Sequence, residues 1–146
     1  MTKYLLAVDF RSGDDETPMS EWTPAEIDAH LAHYDRLHDE LVASGELVDS
    51  VVLTGPDRGL VVRSDGRHTG VQDGPFQEFK EWIAGFQIVD VASQERAVEI
   101  AARVSAVPGR GGRPTRQPIQ VRPLLERAPS DAGEMAGFLD QVTERS

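Results

Sequence analysis

Two periods of apolar residues alternate along this chain. Residues 3–10, Lys3-Tyr4-Leu5-Leu6-Ala7-Val8-Asp9-Phe10, are nearly continuous in apolar character and predict a buried strand. A polar, acidic stretch from Arg11 to Trp22 reads as a loop. Thr23-Pro24-Ala25-Glu26 then announces a helix. Threonine can cap, proline suits the first helical position, and the glutamate three residues on completes a capping box. The helix should run to about Ser44 and stop at Gly45, which can adopt the left-handed conformation. Its apolar stripe reads Ile27, Leu31, Tyr34, His38 and Leu41, with His30 and Leu37 beside it and His33 and Arg36 turned away.

Leu47, Val48, Val51, Val52 and Leu53 predict a second strand over 46–54, broken by Gly55-Pro56-Asp57. Segments 59–63 and 67–72 read as hairpin arms around Asp65-Gly66, a pair suited to a type I′ turn. A further strand covers 84–91. Ser93 caps a helix whose inner stripe is Ala97, Ile100, Ala101 and Val104. A loop rich in Gly, Pro and Arg spans 107–118, and 119–125 is the last strand. The order strand–helix–strand–hairpin–strand–helix–strand predicts an α+β, ferredoxin-like antiparallel sheet with both helices on one face. The open face needs a cover, and a second copy of the chain supplies one, so a homodimer is expected.

The pattern changes after Arg127. Ala128-Pro129 interrupts, Asp131 can cap, and Met135, Phe138, Leu139 and Val142 mark a short amphipathic helix. The expected division is a domain over 1–127 and a helical extension over 128–146.

Composition narrows the chemistry. Net charge is −10, with 3 basic against 12 acidic side chains in residues 1–50. Such a chain repels phosphate backbones and anionic lipid, so neither nucleic acid nor membrane is an expected partner. No apolar run approaches the roughly 18 residues of a membrane span, and the N-terminus does not read as a secretory signal. Cytoplasmic residence is therefore expected. There are no cysteines, which excludes disulfides and thiolate metal sites. His30, His33 and His38 do not share one helix face, so neither a metal nor another cofactor is expected.

Ionisable groups suited to acid–base work are Asp9 at the end of the first strand, Tyr34 and His38 in the first helix, and Asp73. Glu78, Lys80 and Arg122 are candidates for substrate binding. Lys80 is one of only two lysines against thirteen arginines, and an ammonium or guanidinium would hold an anionic group. Asp73-Gly74-Pro75 also has a purely structural use as a tight turn, with Phe76 as its anchor.

The run Asp73-Gly74-Pro75-Phe76-Gln77-Glu78-Phe79-Lys80-Glu81-Trp82-Ile83-Ala84-Gly85-Phe86 resembles the signature of YCII-related proteins of the DGPF type. An apolar first strand, a helix ending at Gly45, and Val121-Arg122-Pro123 in the last strand agree with it, so the resemblance covers about 3–125. It implies a ferredoxin-like fold assembled as a dimeric α+β barrel, with a cleft against the partner. For relatives with a proposed His–Asp pair, the histidine lies eleven residues before the glycine ending the first helix. Here that position is Tyr34. Two functions follow as expectations: a cofactor-free acid–base enzyme acting on a small organic molecule in a dimer cleft, or a small-molecule-binding, regulatory accessory module associated with sigma-factor signalling.

Overall fold

The computed structural model describes residues 1–9, 15, 17–73 and 83–144. The strands are β1 (Thr2–Asp9), β2 (Leu47–Val52), β3 (Leu60–Ser64), β4 (Thr69–Asp73), β5 (Ile83–Val91) and β6 (Ile119–Pro123). The helices are α1 (Pro24–Ser44), α2 (Gln94–Ser105) and α3 (Ala132–Glu144). Four strands form one antiparallel sheet in the order β2-β5-β1-β6, and β3 pairs with β4 in a separate hairpin. This is the ferredoxin-like arrangement, with the hairpin inserted between β2 and β5.

Local chemistry accounts for the ends of α1. Thr23 Oγ1 accepts from the Glu26 amide at 3.2 Å, and Glu26 returns a carboxylate oxygen to the Thr23 amide at 2.8 Å, the reciprocal capping box. Gly45 closes the helix at φ 76°, and its amide and that of Glu46 donate back to the Leu41 carbonyl.

The end of α2 is satisfied from three directions. Ala102 O accepts from Ala106 N, and Val104 O from Val107 N. Arg103 O accepts from His33 Nε2 at 2.7 Å, and Ser105 O from Thr115 Oγ1 at 3.2 Å. Each of the four carbonyls that a helix leaves unpaired at its C-terminus thus has a donor.

Tyr4, Leu6, Leu37, Leu41, Val89, Val91, Ile100 and Val104 form the core between the sheet and the two helices. Alternation along the strands puts Leu5, Ala7 and Asp9 of β1 on the opposite, helix-free face, where Leu5 faces Ile88 and Ala7 faces Phe86.

Two expected details change. The inner stripe of α1 is rotated. Leu37 and Leu41 are buried, and His30, His33 and Tyr34 are half-buried, whereas Leu31 is 52% exposed and His38 is exposed. Histidine can face inward here because His30 and His33 each meet a backbone carbonyl. The hairpin turn is centred on Gly66-Arg67 rather than Asp65-Gly66. Asp65 Oδ1 accepts from the Arg67 and His68 amides, both at 2.8 Å, and so takes the first position of the turn. Only Gly66 has positive φ there, which excludes type I′.

Candidate functional site

A cavity of about 540 Å³ opens between the N-terminal half of α1 and the sheet. Trp22, His30, Tyr34, Gly85, Gln87 and Val104 line it. Its position follows from which residues share the layer. Toward the C-terminal half of α1, leucines 37 and 41 fill the space. Toward the N-terminal half, histidine, tyrosine, glutamine and glycine stand where apolar side chains would have closed it.

Gly85 forms part of the floor for a steric reason. A Cβ there would lie 2.6 Å from the Val51 carbonyl oxygen and 3.4 Å from Val52 Cα, inside the backbone of β2. The ladder is irregular at the same place: Val8 pairs with Gly85 but Asp9 with Ile83, leaving Ala84 as an extra residue. Such a bulge bends the strand and re-aims neighbouring side chains.

One wall is a chain of rings. Trp22 and His30 meet edge to face at 5.4 Å between centroids, and His30 and Tyr34 at 5.3 Å. Trp22 is held by its indole N–H on the Thr17 carbonyl at 3.2 Å. His30 Nδ1 donates to the Pro108 carbonyl at 2.9 Å, so Nε2 carries the lone pair of the neutral ring. Burial holds His30 below the ordinary histidine value, outweighing the Pro108 hydrogen bond, and the nearby His33 pushes the same way. At neutral pH the ring is an acceptor. Burial raises the Tyr34 hydroxyl, which stays protonated.

Gln87 is the unusual member. It is 7% exposed, and its Oε1 is buried without a hydrogen-bond partner. An unpaired buried polar atom costs roughly 1–3 kcal/mol, so the amide carries an unmet hydrogen bond at the cavity wall.

The loop after α2 forms the rim. The Gly111 amide donates to a Glu26 carboxylate oxygen, and Arg110 Nη1 donates to Thr17 Oγ1 at 3.0 Å. Gly109 packs against the Trp22 ring so closely that a Cβ at this position would lie 3.3 Å from the indole edge. The glycine- and arginine-rich segment therefore ties the start of α1 to the approach from residues 17–22.

Of the residues proposed from sequence, Tyr34 lines this cavity. Asp9 is buried on the helix-free face, where Gln120 Nε2 donates to its Oδ1 at 3.3 Å and Gln117 Nε2 to its carbonyl at 2.7 Å. His38 is exposed on the outer side of α1, so the sheet separates it from Asp9. Asp73 is exposed at the end of β4, across the hairpin from Leu60. Arg122 is exposed in β6 opposite Leu5, again on the helix-free face. Glu78 and Lys80 lie outside the described residues, as does the 74–82 part of the signature run. His30 and Gln87 are the additions. Among the described residues no group of three His, Asp or Glu side chains is arranged to hold a metal ion.

Comparison with known proteins supplies the lineage. A model of the YCII-related domain matches residues 11–111. The chain belongs to the YCII-related family. A relative from Rhizobium meliloti (strain 1021), described only as "Uncharacterized protein R00369", is 28% identical over 118 residues, covering 81% of this chain and 91% of its own. The YCII-related match contains α1, the hairpin, β5 and α2, and therefore most of the cavity wall. No helix among the described residues is long and apolar enough to cross a membrane.

Proposed function

We propose that this YCII-related chain binds a small, mostly apolar organic molecule in the cavity between α1 and the sheet. The observation that carries this reading is the Gln87 amide, buried in a ring-lined cavity with its carbonyl oxygen unpaired. Ligand pockets combine an apolar lining with a few placed polar groups, and Gln87, His30 and Tyr34 are such a set. Titration of the protein with a fragment library, followed by two-dimensional NMR, tests it. Binders should shift the Trp22 indole and the Gln87 side-chain amide together. Shifts confined to the helix-free face or to α3 would overturn it.

Turnover is the second reading, favoured by His30. With Nδ1 committed to Pro108 and a lowered proton affinity, Nε2 is a base already free at neutral pH, beside a protonated Tyr34 that can donate. Acid–base chemistry without a cofactor needs no more than such a pair. The expected homodimer fits the helix-free face, where Leu5, Phe86 and Ile88 are half-buried and carry no helix. Light scattering at micromolar concentration should give twice the chain mass. We assign residues 128–146 to an extension beyond that unit.

A further inference from the structure

We infer that the ligand presents a hydrogen-bond donor and an acceptor on one uncharged edge, as in a carboxamide or lactam, and that Gln87 reads that edge. This rests on the cavity being a binding site.

The Gln87 side-chain amide offers one carbonyl acceptor and one NH₂ donor on the same planar head. Its complement is a group with the reverse pair. A primary amide, a lactam and a neutral carboxylic acid all qualify in shape. The surroundings choose between them. Charged groups among the described lining residues are limited to Asp15, whose carboxylate accepts from the Thr17 amide at 2.9 Å and lies 3.8 Å from Arg113 Nη2. None of the described lining residues is a lysine or arginine, and His30 is held neutral by burial. The guanidinium groups of Arg110 and Arg113 stand at the rim and are engaged by Thr17 and Asp15. Among the described residues no cation thus lines the wall beside Gln87, and an ionised carboxylate there would lie in a chain of net charge −10 without a counter-charge in contact. The amide keeps the hydrogen-bonding edge without that cost.

Position strengthens the assignment. Gln87 sits in the inward register of β5, two residues from Gly85 and two from Val89, and pairs across the sheet with Leu6, which is 1% exposed. On its other side Gln87 pairs with Ser50 of β2, which also lines the cavity, so a ligand edge placed here meets the amide with a hydroxyl beside it. A half-turn about its terminal bond exchanges the two head atoms, so either can face the ligand.

The matched pair that tests this is naphthalene carboxamide and methyl naphthyl ketone, which have the same shape and acceptor but differ in the donor. Naphthalene carboxylate is the anionic control. Dissociation constants are measured by NMR for the wild-type protein and for Gln87→Met, which has a similar volume and no polar head. In the wild type the carboxamide should bind about tenfold tighter than the ketone, since loss of the donor leaves Gln87 unpaired again. The carboxylate should bind weakest. Gln87→Met should bring carboxamide and ketone to about equal affinity, as no amide remains to discriminate them. If ketone and carboxamide bind the wild type equally, Gln87 does not read the edge, although the cavity is still a binding site. If none of the three binds, the cavity reading fails and this inference with it.

Discussion

The space between α1 and the sheet has two ends built from the same three elements. At one end α1 supplies Leu37 and Leu41, β5 supplies Val89 and Val91, and β1 supplies Tyr4, all with 8% exposure or less. At the other end the same helix supplies His30 and Tyr34, and the same strand supplies Gly85 and Gln87, around a cavity. Less than one helical turn separates Tyr34 from Leu37, and a single strand repeat separates Gln87 from Val89. A fork between Glu46 and Arg96, with two contacts of 3.0 Å, ties the start of β2 to the start of α2 at the packed end. The helix and strands are thus anchored where they are apolar, and the anchored half holds the other half open. Close packing and open space are divided along the length of each element rather than between elements.

That division is broken most directly at Leu37. It is fully buried, and Leu37→Ala should remove roughly 2–5 kcal/mol, the usual cost of a cavity in a close-packed core. Leu31→Ala, at a 52% exposed position on the cavity side, should change stability by no more than about 0.5 kcal/mol. Urea denaturation measures both. Equal losses would mean that the two ends are packed alike.

Gly85→Ala comes next, at the floor of the open end. The added methyl would lie 2.6 Å from a backbone oxygen of β2, and that oxygen cannot move without separating two paired strands. The expected loss is roughly 1–3 kcal/mol. A variant that melts with the wild type would show that β2 yields at the bulge, and that the cavity floor is soft.

How much of this could be read from sequence differs between the two ends. The strands, both capped helices and the glycine stop at Gly45 were legible because each depends on residues within a few positions of one another. The packed end was legible in α2, where Ala97, Ile100, Ala101 and Val104 are all buried as their spacing required. In α1 the stripe 30-34-37-41 is as regular as 27-31-34-38-41. Counting histidine as polar favours the second, and only the carbonyls of Arg103 and Pro108, some 70 and 78 residues away, decide for the first. Gln87 carries a signal of its own: it is the polar residue in an inward register that otherwise reads Gly85, Val89, Val91. The family resemblance pointed to the DGPF run, most of which lies outside the described residues, while the cavity is lined by α1 and β5.

pH sharpens the comparison with a smaller effect. His30 is the titrating side chain in the ring wall of the open end, and its proton affinity is lowered, chiefly by burial. As pH falls below about 6.5 the unfolded imidazole takes its proton first. The stability conferred by the neutral ring is therefore complete above that value and is lost as pH falls toward the lowered folded value. Melting temperatures measured between pH 7.5 and pH 5.5 should fall more for the wild type than for His30→Phe, where no proton can bind. Parallel curves would mean that His30 remains solvated and does not belong to the cavity wall.

The smallest effect carries the opposite sign. Gln87→Met replaces a buried amide, whose oxygen has no partner, by a flexible apolar side chain of similar volume. In a packed core a polar residue without a partner is a net loss, and removing it returns roughly 1 kcal/mol. For a chain of this length that should raise the melting temperature by roughly 2–4 °C in the absence of ligand. The same substitution at a position serving the fold would lower it, because a bond that held the strand would be lost. The sign of the change therefore separates the two roles with no ligand in hand. A fall in melting temperature would show that Gln87 is bonded in solution and belongs to the anchored half. A rise, together with loss of the carboxamide preference, would place it where the structure does, at an end of the sandwich where stability is given up for an unoccupied hydrogen bond.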